Sequence, residues 1–211
     1  MIRSILLVLT TLLSIQPAAA ETRTALFAGG CFWCLESDMD HVSGVLSTVS
    51  GYAGGKAANP TYETYEKGGH REVVQVTFDD RVISYRDLVA TFLRTIDVTD
   101  AGGQFCDRGH AYTSAIHALD ERQAEEARQA IGDGETALGR PIVTPVDGPA
   151  RFWMAEEEHQ DFYLGMKKRL TMFGFVDQTK AYKRYRKGCG RDERVRAVWG
   201  SQAYRGVDRS M

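Results

Sequence analysis

Four cysteines are the residues of this 211-residue chain whose types and spacing point most directly to chemistry. Cys31 and Cys34 form a C-x-x-C pair, whereas Cys106 and Cys189 lie far from that pair and from each other. A close pair of this kind is typical of a redox dithiol, of half a zinc site or of two packed thiols. A zinc site needs further ligands at short spacing, and the sequence has no second C-x-x-C. We therefore predict thiol redox chemistry without a metal.

The residues around the pair favour Cys31 as the nucleophile. An apolar run at 24–28 ends in two glycines, which predicts a buried strand and a tight turn before a helix over Cys31–His41. A helix N-terminus stabilises a thiolate through its unpaired N–H groups and its dipole. Phe32 and Trp33 follow at once and would form an apolar wall suited to a small apolar group.

The remaining chain mixes strands and helices without a strict β-α-β repeat. Alternating or β-branched runs predict strands at 45–52, 72–78 and 114–119, with short ones at 142–146 and 150–153. Helical patterns follow the N-cap residue Ser84 and cover 120–138 and 155–170. This mixture predicts an α+β class: one domain with an antiparallel or mixed sheet and helices packed on it.

The first twenty residues have the pattern of a cleavable signal peptide. Arg3 supplies a positive charge, residues 5–15 are mostly apolar, and Ala18, Ala19 and Ala20 resemble a cleavage site. The apolar stretch is short for a membrane span. We expect cleavage after Ala20, a periplasmic or secreted protein, and no stable membrane insertion afterwards; an uncleaved signal anchor is the alternative. Thiols in an oxidising compartment need a dedicated electron supply.

Composition and charge exclude several classes of protein. Hydrophobic residues make up 43% and charged residues 26% of the chain, as in soluble globular proteins. The formal net charge of -2 gives no general signal for nucleic-acid binding. The segment 180–211 differs, with ten Lys or Arg and three Asp or Glu. We interpret it as a solvated arm on an acidic body, and its positive charge would favour a Cys189 thiolate.

The segment GGCFWCLE at 29–36 closely resembles the active-site motif of the peptide methionine sulfoxide reductase A family. Further blocks occur in the order of that family and with it span roughly residues 24–170: GYAGG at 51–55, NPTY at 59–62, GHREVVQVTFD at 69–79, CDRGHAYTSAI at 106–116 and AEEEHQDFY at 155–163. The family reduces the S epimer of methionine sulfoxide, free or in proteins. The resemblance implies a ferredoxin-like core, or α/β plait, and a shallow surface site.

A sulfoxide sulfur becomes electrophilic when its oxygen is protonated or strongly hydrogen-bonded, so the site needs an acid as well as a thiol. The resemblance implies that Glu72 is this acid. It also implies that Tyr62, Asp107 and Tyr112 hold the oxygen and the water around it. A carboxyl that a partly apolar pocket keeps protonated can serve as the acid. Phenol donors can stabilise charge that develops on the oxygen.

Other positions follow from the same resemblance. Cys31 corresponds to the nucleophile, Phe32 and Trp33 to the walls that receive the substrate methyl group, and His159 to a support at the side of the pocket. Attack on the sulfoxide would leave Cys31 as a sulfenic acid. A second thiol would then form a disulfide, which an external dithiol such as a thioredoxin-like protein resets. No metal and no bound organic cofactor are implied.

Three thiols could resolve the sulfenic acid. Cys189 stands between two glycines in the charged arm, and C-terminal resolving cysteines are common in the family, so Cys189 is the first choice. Cys34 is the alternative, as the direct resolver or in a relay, although one helical turn could hold it away from Cys31. Cys106 stands where the family often has Asn and receives no role.

We therefore predict a signal peptide over 1–20, a methionine sulfoxide reductase domain over 21–175 and an irregular basic arm over 176–211 that carries the resolving cysteine. The expected substrates are oxidised proteins or peptides that contain methionine sulfoxide. Two other functions stay open on the residues alone. One is an exported thiol-disulfide oxidoreductase that uses the Cys31–Cys34 pair, and the other is a cysteine-stapled binding domain.

Overall fold

The computed structural model of the protein describes residues 22–171 and 174–209. The predicted signal peptide at 1–20 lies outside the described residues. Within the described ranges, no helix combines the length and the apolar character that crossing a membrane requires.

The described residues form ten strands, five α-helices and four short 3₁₀ turns. The strands are β1 (Thr22–Ala28), β2 (Val45–Ala53), β3 (Arg71–Asp79), β4 (Gly103–Gln104), β5 (Asp107–Arg108), β6 (Ala115–His117), β7 (Val146–Asp147), β8 (Trp153–Met154), β9 (Lys168–Thr171) and β10 (Gly174–Asp177). The helices are α1 (Phe32–Asp40), α2 (Tyr85–Leu93), α3 (Glu121–Leu138), α4 (Gln178–Gly188) and α5 (Arg191–Trp199). The 3₁₀ turns are His110–Tyr112, Glu157–His159, Phe162–Leu164 and Gly200–Gln202.

Six strands form a mixed sheet in the order β7-β6-β1-β3-β2-β8. Neighbouring strands are antiparallel except β6 and β7, which are parallel. Phe27 of β1 lies opposite Val74 of β3 on one side and Ile116 of β6 on the other. The centre of the sheet thus carries β1, whose C-terminal end leads into the C-x-x-C pair. This arrangement confirms the predicted α+β class.

The core divides over the two faces of the sheet because successive side chains of a strand point to opposite faces. Phe27 belongs to the larger cluster and stacks on Phe92 of α2, with ring centroids 4.6 Å apart. Leu26 and Ala28 belong to a smaller cluster on the other face, against which Phe152 packs. The alternation of side chains in the short run 24–28 therefore supplies residues to the clusters on both faces of the sheet.

Two predicted helices begin at capped N-termini: Ser84 is the predicted cap of α2, and Asp120 is the cap that the structure adds for α3. The Ser84 hydroxyl accepts a hydrogen bond from the Asp87 N–H at 3.1 Å, and α2 follows. The Asp120 carboxylate accepts from the Gln123 N–H at 2.7 Å, and α3 follows. Such side-chain caps satisfy N–H groups that have no partner within the helix.

The predicted helix over 155–170 is wrong. The segment instead contains the two turns Glu157–His159 and Phe162–Leu164 and then β9. The Gln160 side-chain oxygen accepts from the Ser50 N–H at 2.9 Å, and its amide donates to the Ser50 carbonyl at 3.0 Å. Asp161 follows in the left-handed region, with φ of 49°. These long-range bonds to β2 replace the regular bonds of a helix.

The predicted irregular, solvated arm is also wrong in its local structure. Asp177 caps α4 by accepting from the Lys180 N–H at 2.7 Å, and α5 follows one turn later. Arg186 of α4 forms a buried ion pair with Asp38 of α1 at 2.8 Å. Part of the positive charge of the segment thus faces the protein interior, and Cys189 ends α4 rather than lying on a free loop.

Candidate active site

Cys31 lies where β1 passes into α1. Gly30 has φ of 80°, and a Cβ built there would meet Gln104 Cβ at 2.6 Å, so both the turn and the close packing require glycine. Cys31 is the N-cap residue of α1, and its carbonyl accepts from the Cys34 N–H at 3.1 Å. Its side chain is 6% exposed. The predicted strand, turn and helix are confirmed.

The sequence predicts that the helix N-terminus stabilises a Cys31 thiolate, and the structure shows the opposite direction. Burial, the hydrogen bond to Cys34 and nearby acidic groups raise the pKa of the Cys31 thiol well above its ordinary value. The pKa of Cys34 is lowered, first by the hydrogen bond from Cys31 and then by the charges of Arg191 and Arg186. The helix N-terminus therefore does not outweigh desolvation at Cys31.

Glu72 of β3 stands beside the N-terminus of α1. Its carboxyl accepts from the Phe32 N–H at 2.8 Å and from the Tyr65 hydroxyl at 2.9 Å. The residue is 2% exposed, and burial raises its pKa to about 8 despite these two bonds. Glu72 thus holds a proton at neutral pH, as an acid requires. Its carboxyl is bonded to Phe32, the residue that follows Cys31.

Two phenols lie next to Glu72, and one of them was not predicted. The Tyr65 hydroxyl bridges Glu72 and the Tyr112 hydroxyl, the latter at 3.0 Å. Tyr62, which the resemblance singled out, is 41% exposed, and its hydroxyl makes no hydrogen bond to another described residue. Tyr65 follows Tyr62 by three residues in a run of turns. This spacing indicates that both rings lie on the same side of the turn, and it could have pointed to Tyr65.

Aromatic rings build the wall beside the two thiols. Trp33 stacks on Phe162 with ring centroids 3.9 Å apart, and its indole N–H donates to His159 Nδ1 at 3.3 Å. The His159 ring also stacks on Tyr62 at 4.3 Å and lies 5.4 Å from Phe32. Burial lowers the pKa of His159, which keeps the ring neutral as an acceptor. Phe32, Trp33 and His159 therefore lie together, and their role in binding the substrate stays a prediction.

Asp107 reaches the same region from β5, with a partner from the C-terminal helices. Its carboxylate accepts a short hydrogen bond from the hydroxyl of Tyr185 on α4. The Tyr185 ring meets the face of Trp33 edge-on at 6.2 Å. Burial raises the pKa of Asp107. The sequence did not single out Tyr185, because only the packing of α4 against α1 brings it to the site.

Cys189 does not contact Cys31 in this structure. It forms a disulfide with Cys106, and the bond ties the end of α4 to the loop before β5. The bond borders an open cavity of about 410 Å³ that Asp97, Asp100 and Arg194 also line. Cys31 and Cys34 are both free thiols. The role of Cys189 as resolving thiol stays a prediction, and it requires that the bond to Cys106 first be broken.

The arrangement combines a buried thiol, a protonated carboxyl and an apolar wall around one small region. Cys31 provides a nucleophile, Glu72 a proton, and the Phe32 and Trp33 rings a place for a methyl group. The predicted residues therefore lie in one region, apart from Cys189, and the role of Tyr62 at the substrate oxygen stays a prediction.

Known proteins are similar to this chain in sequence and in fold. A sequence model of the family described as peptide methionine sulfoxide reductase matches residues 23–197. The chain is 56% identical over 208 residues to peptide methionine sulfoxide reductase MsrA 2 of Rhizobium meliloti, covering 98% of this chain and 99% of that protein. It is 42% identical over 188 residues to MsrA 2 of Caulobacter vibrioides, covering 87% and 88%.

Solved structures agree with these relatives. Methionine sulfoxide reductase A of Corynebacterium diphtheriae is similar with a TM-score of 0.62 and 28% identity, covering 78% of this chain and 86% of that chain. Mxr1 of Saccharomyces cerevisiae in reduced form is similar with a TM-score of 0.64 and 25% identity, covering 76% and 94%.

Proposed function

The chain belongs to the peptide methionine sulfoxide reductase family, and we propose that Cys31 takes the oxygen atom from the S epimer of methionine sulfoxide while Glu72 protonates that oxygen. The protein is a peptide-methionine (S)-S-oxide reductase, and the reaction repairs oxidised methionine. The observation that carries the residue assignment is the buried Glu72 carboxyl, whose pKa is raised to about 8 and which accepts from the N–H of the residue after Cys31.

The first step moves one oxygen atom and two electrons. Glu72 donates its proton to the sulfoxide oxygen, and the Cys31 sulfur attacks the substrate sulfur. The bond between the substrate sulfur and its oxygen breaks, the hydroxyl passes to the Cys31 sulfur as a sulfenic acid, and methionine leaves. The proton of the Cys31 thiol restores Glu72. Tyr65 and Tyr112 donate hydrogen bonds where charge develops on the oxygen. The predicted role of Tyr62 becomes that of an outer wall, since its ring stacks on His159.

The apolar wall supports selection of a thioether-like substrate. The Phe32 and Trp33 rings can receive the methyl group, and His159 holds the Trp33 indole in place. A small apolar group gains free energy when it leaves water for such a surface. The polar groups of Glu72, Tyr65 and Tyr112 then face the oxygen on the other side of the sulfur.

An external dithiol protein of thioredoxin type is the reductant that we propose. A disulfide formed at Cys31 must be reduced by thiol-disulfide exchange before the next turnover. We also propose export to the periplasm or the exterior, supported by the charged, apolar and small-residue pattern of 1–20. Fractionation of cells with an antibody to the protein tests this location.

A ferredoxin-like core is the finer fold assignment that we propose. It is supported by the chain order β1-α1-β2-β3-α2-β6 and by the spatial order β6-β1-β3-β2, which is the split β-α-β pattern of that fold. Superposition of these four strands and two helices on a ferredoxin-like domain tests the assignment.

One assay separates the reductase from the alternative functions. Peptides that carry either epimer of methionine sulfoxide are incubated with the enzyme and a dithiol, and methionine is measured. We expect selective loss of the S epimer and none with Cys31→Ser. Equal loss of both epimers, or full activity of Cys31→Ser, contradicts the proposal. Disulfide exchange on a scrambled protein without sulfoxide reduction would favour a thiol-disulfide oxidoreductase.

A further inference from the structure

Tyr185 of α4 contacts the candidate site through both ends of its side chain. Its ring meets the face of Trp33 edge-on, with ring centroids 6.2 Å apart, and packs against the cluster that contains Cys31 and Phe162. Its hydroxyl donates a hydrogen bond to the Asp107 carboxylate. One side chain of the C-terminal helices therefore touches the apolar wall and also a carboxylate that the resemblance places near the substrate oxygen.

The phenol fixes the carboxylate of Asp107. Burial raises the pKa of Asp107, and the hydrogen bond from Tyr185, followed by the charge of Arg191, acts in the opposite direction. A hydrogen bond to a charged acceptor is stronger than one between neutral groups and also sets its direction. Tyr185 thus stabilises and orients the carboxylate through Oδ2, the atom that its hydroxyl contacts.

A covalent bond lies next to this hydrogen bond. Cys106 directly precedes Asp107, and Cys189 lies one helical turn after Tyr185, whose carbonyl accepts from the Cys189 N–H at 2.9 Å. The sulfur of Cys106, which carries no proton in the disulfide, is 3.8 Å from Asp107 Oδ1. The Cys106–Cys189 disulfide and the Asp107–Tyr185 hydrogen bond therefore join the same loop to the same helix.

The loop has a conformation that needs such a restraint. Phe105 and Cys106 connect β4 to β5, and Phe105 has φ of 56°, in the left-handed region that is unfavourable for a residue with a Cβ. Its ring packs against the guanidinium of Arg191, whose central carbon lies 4.6 Å from the ring centroid. Strained backbone persists where surrounding contacts hold it. The disulfide at the next residue supplies such a contact, so opening it lets the loop relax and Asp107 move.

The bond is open to a reductant. Cys106 is exposed, and an open cavity borders the disulfide. A dithiol protein of the class proposed above reduces such a bond by thiol-disulfide exchange. Two electrons and two protons pass to Cys106 and Cys189, which become thiols, and the dithiol becomes a disulfide.

We propose that Tyr185 is a positioning residue for Asp107 and Trp33, and that the Cys106–Cys189 disulfide is a redox-controlled clamp that keeps Tyr185 on Asp107. The inference rests on the proposed function and adds regulation to the same site. The closed clamp fixes Asp107 for the first step, and reduction by a dithiol loosens it. The first step is therefore faster under oxidising conditions, in which methionine sulfoxide forms.

The first test compares the closed and open clamp. Methionine release from a peptide that carries the S epimer is measured by rapid quench with excess enzyme, and Cys31 and Cys34 are reduced in every sample. The samples are wild type with the Cys106–Cys189 bond, wild type with four free thiols, and the Cys106→Ser/Cys189→Ser variant. Both open forms should release methionine at least about threefold more slowly, because the loosened group loses its orientation. Equal rates in closed and open forms overturn the clamp.

Methionine release precedes formation of any new disulfide. The comparison is therefore independent of the thiol that resolves Cys31.

The second test separates the hydroxyl of Tyr185 from its ring. With the clamp closed, Tyr185→Phe should lower the rate at saturating peptide about tenfold and change the half-saturating peptide concentration less than about twofold, since it loses a charged hydrogen bond but keeps the ring. Tyr185→Leu should also raise that concentration, because Trp33 loses its edge-on partner. A wild-type rate in Tyr185→Phe overturns the positioning role.

The two tests combine into a double-mutant cycle. In Tyr185→Phe, opening the clamp should cost less than about twofold in rate, because the hydrogen bond that the clamp holds is already absent. Losses that multiply independently overturn the link between the clamp and Tyr185.

Tyr163→Phe is the matched control. The Tyr163 hydroxyl donates to Asp40 Oδ2 at 2.9 Å, a bond of the same kind that joins the turn Phe162–Leu164 to α1. The variant should keep the saturating rate and the ratio of closed to open rates. A loss as large as that of Tyr185→Phe would overturn the specific role of Tyr185.

A measurement without substrate keeps this inference separate from the proposed function. Amide hydrogen exchange of residues 103–109 is followed by mass spectrometry in the closed and open forms. Opening the clamp should speed exchange there at least about threefold, since local restraints set local opening. Equal exchange overturns the clamp. If no sample releases methionine, the proposed function fails, and this measurement still decides the clamp.

Discussion

At the scale of single residues, burial dominates the chemistry of this site. Cys31 stands at a helix N-terminus, which favours a thiolate, yet desolvation raises its pKa. Glu72 accepts two hydrogen bonds that favour its ionised form, yet desolvation raises its pKa to about 8. Both reacting groups therefore keep their protons until substrate arrives. A protonated acid beside a protonated thiol suits a reaction that leaves a sulfenic acid on Cys31, because this product carries the substrate oxygen and a proton.

The acid role of Glu72 predicts a pH dependence. The protonated form is lost as pH rises through about 8, so the single-turnover release of methionine should fall above that pH. Glu72→Gln should slow this release about 10²- to 10⁴-fold and remove the alkaline fall. Rapid-quench measurement of methionine across the pH range checks both. Unchanged release in Glu72→Gln, with Cys31 still alkylable, would remove Glu72 from the acid role.

The same group predicts how stability changes with pH. A carboxyl whose pKa is raised in the folded state stabilises the fold while it stays protonated in both states. That contribution is lost as pH rises from its ordinary pKa of 4.5 towards about 8. The free energy of unfolding of wild type should therefore fall over this range more steeply than that of Glu72→Gln, as urea titrations at several pH values can measure.

Tyr65 and Tyr62 form a matched pair for the oxygen-binding role. Tyr65→Phe removes a hydroxyl that bridges Glu72 and Tyr112, and should lower the single-turnover rate about tenfold to a hundredfold. Tyr62→Phe keeps the ring that stacks on His159 and should change the rate less than about threefold. A larger loss in Tyr62→Phe than in Tyr65→Phe would restore the oxygen-binding assignment to Tyr62.

At the scale of elements, the junction of β1 and α1 decides where the thiols lie. β1 is held in the middle of the sheet, and Gly30 turns the chain so tightly that Cys31 caps the helix. The cap position brings Cys34 back beside Cys31. One local motif thus positions the nucleophile and a second thiol, whereas Glu72 and Asp107 come from other strands.

Gly30→Ala tests this junction. The new methyl group would meet Gln104 Cβ at 2.6 Å in a left-handed backbone, so we expect a loss of more than about 2 kcal/mol of unfolding free energy and of most activity. Gly139→Ala is the control, since Gly139 has φ of 66° but no neighbour within 4 Å of the added atom. It should cost about 1 kcal/mol and leave activity unchanged. Equal losses in the two variants would contradict the packing argument.

The segment after β8 shows how side chains override helix propensity. Its residues favour a helix, but Gln160 bonds to both backbone groups of Ser50, and Asp161 takes a left-handed conformation. The resulting turns place His159 and Phe162 against Trp33. A regular helix could not satisfy these bonds to β2, so the irregular backbone is what completes the aromatic wall.

At the scale of the whole molecule, the C-terminal helices belong to the site. Tyr185 contacts Trp33 and Asp107, Arg186 donates to the Cys34 carbonyl, and Arg191 donates to the Gly29 carbonyl. The Cys106–Cys189 disulfide joins this helical pair to the loop that carries Asp107. Because the bond spans 83 residues, it restricts a large part of the unfolded chain.

Loss of this disulfide should lower global stability. We expect Cys106→Ser to reduce the free energy of unfolding by about 2–4 kcal/mol, because the unfolded chain gains freedom. Chemical denaturation of wild type, Cys106→Ser and the double variant with Cys189→Ser measures the effect. The single and double variants should agree within about 1 kcal/mol, and the loss should vanish when wild type is compared under reducing conditions. Wild-type stability in Cys106→Ser would exclude a stabilising role for the bond.

By itself the sequence determined the α+β class, the strand, turn and helix around Cys31, the N-cap at Ser84 and the family. These features depend on short-range patterns: alternating apolar residues, turn glycines, capping side chains and contiguous motifs. Only the tertiary structure decided that Tyr65 is the phenol at Glu72, that Tyr185 reaches Trp33 and Asp107, that Arg191 reaches Gly29, and that Cys189 bonds to Cys106. Burial and tertiary contact decide those features, and neither can be read from neighbours in the chain, since the partners lie as far as 162 positions apart.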